Sequence, residues 1–264
     1  MNRYLLLPFL LLLSACASNP SVNYDAAGIP SKDEVELDAG KYDNSPANVF
    51  IGLAAGYLQR GELEAAYEYA VKALKADASN PNSYNVMAVI QQQVGQRGLA
   101  AQNYRKALAI SPNDPNINNT YASFLCEQGD FDNSVLHFKR SINYPLYKQK
   151  WIPMTNIGIC ALRVDRLDIA EEYLRKALQL NRNFRNALYN MIDLSVRTEN
   201  FMSARAFIQR YLEVGQHDAK TLYWGIKTEQ QLGDKNKQDS YKLLLRARFP
   251  DSDQAKELRQ EGVI

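Results

Sequence analysis

The sequence predicts an all-α fold, a right-handed superhelical solenoid of six helix–turn–helix repeats. The first reason is a 34-residue period marked by Gly61, Gly95 and Gly129. The second is that small and bulky apolar residues recur at fixed positions of the same period. Self-similarity of this kind is typical of repeat proteins, in which each unit buries its apolar face against its neighbours.

The amino terminus, residues 1–15, is predicted to be a secretory signal peptide. A basic residue precedes an apolar run at 5–13 that is too short to cross a bilayer. The run leads into Leu-Ser-Ala-Cys, which resembles a bacterial lipobox, so Cys16 is the predicted lipidation site. The alternative is an ordinary signal peptide with an incidental cysteine. Because Ala17 stands where an aspartate would favour the inner membrane, we expect a lipid anchor in the outer membrane, facing the periplasm.

The next stretch, 16–45, is predicted to be the lipidated end and a flexible tether, since it is rich in Ser, Asn, Asp, Gly and Pro and has no apolar period. The folded domain is predicted at 46–264. A two-residue insertion follows its third repeat, and a carboxy-terminal cap follows its sixth. With the three glycines at position 15, the predicted repeats are 47–80, 81–114, 115–148, 151–184, 185–218 and 219–252.

Three features, each found in three or four of the six units, match the tetratricopeptide repeat (TPR), whose period is also 34 residues. Position 8, where the two helices of a unit cross closely, holds the small residues Ala54, Ala88, Ala122 and Gly158. Position 24 supplies bulk, with Tyr104, Phe138, Leu174 and Ile208. A good N-cap followed by proline begins three repeats, at Ser45-Pro46, Asn80-Pro81 and Asp114-Pro115.

No motif for catalysis, nucleotide binding or metal binding is present, so the sequence predicts neither an enzyme nor a cofactor, metal or small-molecule substrate. The histidines, His137 and His217, fall in different repeats, where packing roles are expected. The 31 basic residues are balanced by 29 acidic ones, for a net charge of +2, and are spread along the chain. Nucleic acid is therefore not an expected partner.

Two cysteines remain after the lipobox, Cys126 and Cys160, at positions 12 and 10 of neighbouring first helices. Because the periplasm is oxidising and these helices pack side by side, we predict a disulfide. The alternative is a pair of buried thiols.

The concave wall of a TPR superhelix is lined by the first helix of each unit, which makes it the predicted partner-binding surface. Its asparagines can pair with peptide groups of an extended segment, and an apolar strip in the first repeat could anchor that segment. The predicted residues are Asn48, Ile51, Ala55, Leu58, Asn82, Asn85, Asn116 and Asn119. Two alternatives stay open: Ile51 and Leu58 pack against the tether, or the asparagines cap turns.

Two segments, FLCEQG at 124–129 and NIGIC at 156–160, resemble the type IV pilus biogenesis lipoproteins of the PilF/PilW family. The resemblance covers the lipobox, the tether, six repeats and the two cysteines. It implies a pilotin, a lipoprotein that binds secretin subunits of the pilus channel and promotes their outer-membrane localisation and multimerisation. The competing interpretation is a lipid-anchored TPR scaffold for cell-wall enzymes or barrel assembly.

Overall fold

A computed structural model describes residues 45–264. The predicted signal peptide, Cys16 and the tether up to residue 44 lie outside the described residues. The predicted all-α architecture is confirmed, because the described chain consists of consecutive helix pairs and contains no strand. The helices are α1 Pro46–Gln59, α2 Leu63–Ala76, α3 Pro81–Gln93, α4 Arg97–Ile110, α5 Pro115–Glu127, α6 Phe131–Asn143, α7 Trp151–Arg163, α8 Leu167–Leu180, α9 Arg185–Arg197, α10 Phe201–Leu212, α11 Ala219–Leu232, α12 Lys235–Arg248 and α13 Asp253–Gln260.

Side-chain caps begin the first helices of the first three repeats. Ser45 accepts a hydrogen bond from the backbone N–H of the third residue of α1. Asn80 and Asp114 cap α3 and α5 in the same way. The backbone nitrogen of the second helical residue lies 3.0 Å from Asn80 Oδ1 in α3 and 2.9 Å from Asp114 Oδ1 in α5. Proline follows each cap, where its missing N–H costs no intrahelical bond. The caps and prolines therefore define the residue at which the first helix of each of these three repeats begins.

Position 15 of each repeat ends the first helix in a left-handed backbone conformation. Gly61, Gly95 and Gly129 have φ between 76° and 81° there. Repeats four and five place Asp165 and Glu199 at the same position, with φ of 56° and 55°. The turn is therefore kept without glycine in these two repeats, although left-handed backbone is unfavourable for residues that carry a Cβ.

Each first helix packs against the second helix of its own repeat and against the first helix of the next. Fully buried alanines line the crossings within a repeat, among them Ala54 and Ala66 in repeat one. The largest buried cluster runs from Cys126 in α5 to Trp224 in α11, and a separate cluster holds repeats one and two together. At the carboxy-terminal end, α13 packs on α11 and contributes the buried Leu258.

Repeat four brings its two helices closest at Gly158. A Cβ atom there would lie 2.6 Å and 2.8 Å from side-chain carbons of Leu174, closer than real Cβ contacts. Because Leu174 is fully buried and cannot swing outward, Gly158→Ala is expected to lower the free energy of unfolding by about 1–3 kcal/mol. Denaturant unfolding of the full chain would measure the change.

Gly52 provides the matched control for this substitution. It lies inside α1, and a Cβ atom there would meet nothing within 4 Å. Gly52→Ala is therefore expected to stabilise the protein by up to about 1 kcal/mol, through its helix propensity alone. Equal effects of the two substitutions would contradict the close packing at Gly158.

Candidate partner-binding site

The apolar residues that the sequence predicted as a strip on α1 face the core in the structure. Ile51 and Leu58 are only 1% and 8% exposed, and Ala55 is also buried. Ile51 and Leu58 belong to the cluster that joins repeats one and two, which also contains Val86, Met87 and Ile90 of α3. At these positions the first helix meets the next first helix instead of the open wall. In this structure the three residues therefore lie in the packed interior and not on an open wall.

The apolar side chains that α1 does expose are Val49 and Leu53, which are half exposed. They lie on a different face of the helix, at positions 3 and 7 of the repeat, which the sequence-based assignment did not consider.

Two of the predicted asparagines, Asn85 and Asn119, instead link successive first helices. The Asn85 Oδ1 atom accepts a hydrogen bond of 2.6 Å from Thr120 Oγ1. One repeat later, Asn119 Oδ1 accepts one of 3.1 Å from Asn156 Nδ2. Both bonds join position 5 of one repeat to position 6 of the next, so the two-residue insertion does not disturb the register. Asn85 is 2% exposed, so its side chain lies inside this link and is not presented on an open wall.

A second polar link lies further along the same helices. The Tyr104 hydroxyl donates to Gln92 Oε1 over 2.8 Å, and Gln92 Nε2 donates to Glu127 Oε2 over 2.7 Å. Burial, and secondarily the Glu127 carboxylate, raises the pKa of Tyr104 well above its ordinary value. The hydroxyl donor of these hydrogen bonds is Tyr104, on the second helix of repeat two. The sequence predicted only a packing role for that residue.

Cys126 and Cys160 are joined by a disulfide bond in the structure. Their Cα atoms are 5.8 Å apart, and both residues are buried between α5 and α7. The bond links the third and fourth repeats across the segment that contains the insertion.

A cleft of about 850 Å³ opens at the amino-terminal ends of the first three first helices, and we call it the rim cleft. Its floor contains Asn48, Asn82 and Asn116, which occupy position 2 of repeats one, two and three. These three asparagines are the predicted partner-binding residues that the structure brings together in one cavity. The remaining lining residues are Asp77, Ser79, Asn80, Pro81, Asp114, Pro115, Tyr144, Leu146, Tyr147, Lys148 and Gln149.

One wall of the rim cleft is the loop between α6 and α7, residues 144–150. This loop contains the two-residue insertion, and it presents two tyrosines together with Leu146, which is 73% exposed. The sequence analysis placed the insertion only as a break between the third and fourth repeats. The signal that could have identified it was a leucine between two aromatic residues in an otherwise polar connection.

The asparagines of the rim cleft differ in how they are bonded. Asn48 Oδ1 accepts a hydrogen bond of 2.9 Å from Asn80 Nδ2. Within residues 45–264, the side-chain amides of Asn82 and Asn116 have no hydrogen-bond partner, and both residues are half-buried. The rim cleft therefore offers two amide groups, one repeat apart, that can each donate and accept.

Both histidines pack between helices. His137 Nδ1 lies 2.8 Å from Asn118 Oδ1, and His217 Nδ1 lies 3.2 Å from Thr221 Oγ1. Burial is the main reason that the pKa of each histidine is lowered. In the part of the chain that the structure describes, no group of three His, Cys, Asp or Glu residues is placed to hold a metal ion. No helix from α1 to α13 is long and apolar enough to span a membrane.

Sequence and structure comparisons with known proteins both identify PilF as a relative. The tetratricopeptide repeat family model matches residues 81–114 and 154–184. The type IV pilus assembly protein PilF of Pseudomonas aeruginosa is 30% identical over 233 residues, which cover 88% of this chain and 92% of that protein. The solved structure of P. aeruginosa PilF superposes with a TM-score of 0.73 over 82% of this chain and 97% of its own.

A second solved structure, PilW, described as a widely conserved type IV pilus biogenesis factor, is 27% identical. It superposes with a TM-score of 0.74 and covers 82% of this chain and 99% of its own.

Proposed function

The chain belongs to the PilF/PilW family of type IV pilus biogenesis TPR proteins, and from this membership we propose that it is an outer-membrane lipoprotein pilotin. In this role it binds pilus secretin subunits through its TPR array and promotes their outer-membrane localisation and multimerisation. The supporting observation is that the similarity to P. aeruginosa PilF extends along nearly the whole of both chains. The relationship is therefore to the entire array and not to isolated TPR units.

The proposed function combines a lipid anchor with a surface that binds the secretin subunit. A secretin subunit that has not yet closed into a ring exposes strand edges that can pair with other chains, which is an aggregation hazard. A partner that holds one segment of the subunit separates it from other subunits. Lipid attached at Cys16 would confine the complex to the membrane surface, which raises the local concentration of subunits and favours ring closure.

Cys16→Ser is expected to release the protein into the soluble periplasmic fraction and to leave secretin outside the outer membrane. The reason is that two or more acyl chains hold a protein on a membrane stably, whereas a serine cannot carry the thioether-linked lipid. Membrane fractionation followed by immunoblotting measures both proteins. Ala17→Ser serves as the control, because it changes the neighbouring residue and leaves Cys16 in place to carry the lipid. Unchanged membrane association of the Cys16 variant would contradict lipidation at this residue.

The direct test of the pilotin proposal is the state of the secretin in cells with and without this protein. Loss of the protein should give monomeric or mislocalised secretin, seen as loss of the heat-resistant multimer on gels. Normal secretin rings in the outer membrane of cells that lack the protein would overturn the proposal.

A further inference from the structure

We propose that the rim cleft binds an extended segment of a partner protein, through the amides of Asn82 and Asn116 and an apolar contact with Leu146. The inference rests on the proposed function for the identity of the partner, a secretin subunit. It moves the working surface away from the buried residues of α1, to the amino-terminal ends of α1, α3 and α5 and the α6–α7 loop.

The side-chain amides of Asn82 and Asn116 can bond to a partner. Asn82 and Asn116 occupy the same position of consecutive repeats, and their side chains are half-buried without a partner among the described residues. A side-chain amide offers a donor and an acceptor, as a peptide group does. Two such amides can therefore bond to the main chain of a segment that lies across the repeats. Asn85 and Asn119 cannot serve in the same way, because their Oδ1 atoms already accept from the next repeat.

Leu146 offers an apolar contact in the rim cleft. It is 73% exposed in the wall of a cavity that is otherwise largely polar, and Tyr144 and Tyr147 line the cavity beside it. Extended peptides are recognised by main-chain bonds together with pockets for individual side chains. Leu146 and the two tyrosines supply such a contact for one large apolar side chain of the segment.

The helix ends at the rim cleft disfavour an anion as the ligand. The backbone N–H groups that would bind one are already bonded to the capping side chains of Ser45, Asn80 and Asp114. The lining carries two carboxylates, Asp77 and Asp114, against one lysine, Lys148. An uncharged or weakly basic peptide segment fits this balance better than an acidic one.

The span of the rim cleft sets the length of the segment. Packed helices lie about 8–10 Å apart, so the floor from Asn48 to Asn116 covers roughly 16–20 Å. An extended chain rises about 3.3 Å per residue, so about five to six residues of the partner would cross it.

The experiment places a photocrosslinking residue, p-benzoyl-phenylalanine, at position 146 of the full-length lipoprotein in cells that express the secretin. The same residue at position 243 is the control, because Leu243 is also highly exposed but lies on α12. We expect a crosslink to secretin from position 146 and none from position 243. Mass spectrometry of the product should identify one short secretin segment.

Binding of purified variants gives the second readout. In lipid nanodiscs, Leu146→Asp and the double variant Asn82→Leu/Asn116→Leu are each expected to bind detergent-solubilised secretin about tenfold more weakly than the wild type. Leu243→Asp should bind as the wild type does. Circular dichroism checks that each variant stays folded.

Three outcomes would overturn the proposal. Unchanged affinity of the cleft variants, with no crosslink from position 146, would place the site elsewhere while leaving the pilotin function intact. A crosslink from position 146 to residues 17–44 of the same chain would assign the rim cleft to the tether instead. If the wild-type protein neither binds secretin nor changes its multimerisation, the pilotin proposal fails, and the occupant named here fails with it.

Discussion

Removing the disulfide by the double substitution Cys126→Ala/Cys160→Ala is expected to lower the free energy of unfolding by about 3–4 kcal/mol. The bond closes a loop of 34 residues, and without it the unfolded chain regains the conformational freedom that this closure removes. Alanine is chosen because both cysteines are buried, and a serine hydroxyl would add the cost of an unpaired polar group. For an array of this size the loss corresponds to a fall in Tm on the order of 10 °C.

Calorimetry of the oxidised wild type, the reduced wild type and the variant measures this effect. Reduced wild type should unfold close to the variant, and a reducing agent should not change the variant further. A variant as stable as the oxidised wild type would show that the bond is not formed in solution.

Arg205→Met is expected to lower the free energy of unfolding by about 3 kcal/mol, because it leaves a buried carboxylate without its partner. Glu229 in α11 is 1% exposed, and Arg205 in α10 donates to both of its carboxylate oxygens. Asp234 is 3.7 Å from the same guanidinium. The estimate stays at the low end for a buried pair, since the Arg205 side chain is 24% exposed and water reaches part of it.

Two matched variants separate the ion pair from general damage. Arg175→Met removes the exposed partner of Glu171 and should change stability by no more than about 0.5 kcal/mol. Arg205→Met/Glu229→Leu removes both charges of the buried pair and should recover most of the stability that the single substitution loses. Urea unfolding of the three variants measures the differences. A double variant as unstable as Arg205→Met would attribute the loss to packing and not to the unpaired carboxylate.

The 34-residue period predicted the fold because the residues that produce it meet structural requirements within a single repeat. A capped proline start, a small residue at position 8 and a left-handed turn at position 15 each act within one repeat, so a single repeat carries the signal. The period becomes faint where Asp165 and Glu199 take the turn conformation that glycine takes elsewhere. A search for glycine at position 15 therefore misses repeats four and five, although their backbone keeps the left-handed turn.

The candidate site was harder to predict, since it depends on contacts between repeats. The Asn85 side chain is already hydrogen-bonded, because it accepts from Thr120. That residue lies 35 residues away and belongs to no recognisable sequence pattern. Whether Ile51 is open to a partner is decided by how closely α3 packs on α1. The sequence placed Asn48, Asn82 and Asn116 on one surface, and in the structure all three line the rim cleft. It could not show which asparagine side chains are already hydrogen-bonded. It also did not reveal that the α6–α7 loop lines the same cleft.

The disulfide also has a consequence for how the native array opens. In a linear array, neighbouring units couple only through their shared interfaces, so each unit can open on its own and the ends fray first. The bond between α5 and α7 makes repeats three and four open together, and it lies within the largest buried cluster. Slowly exchanging amide hydrogens should therefore be concentrated in α5 to α9, with faster exchange in α1 and α2. Under reducing conditions this central block should lose its excess protection, and exchange rates should then rise smoothly from the middle of the array toward both ends.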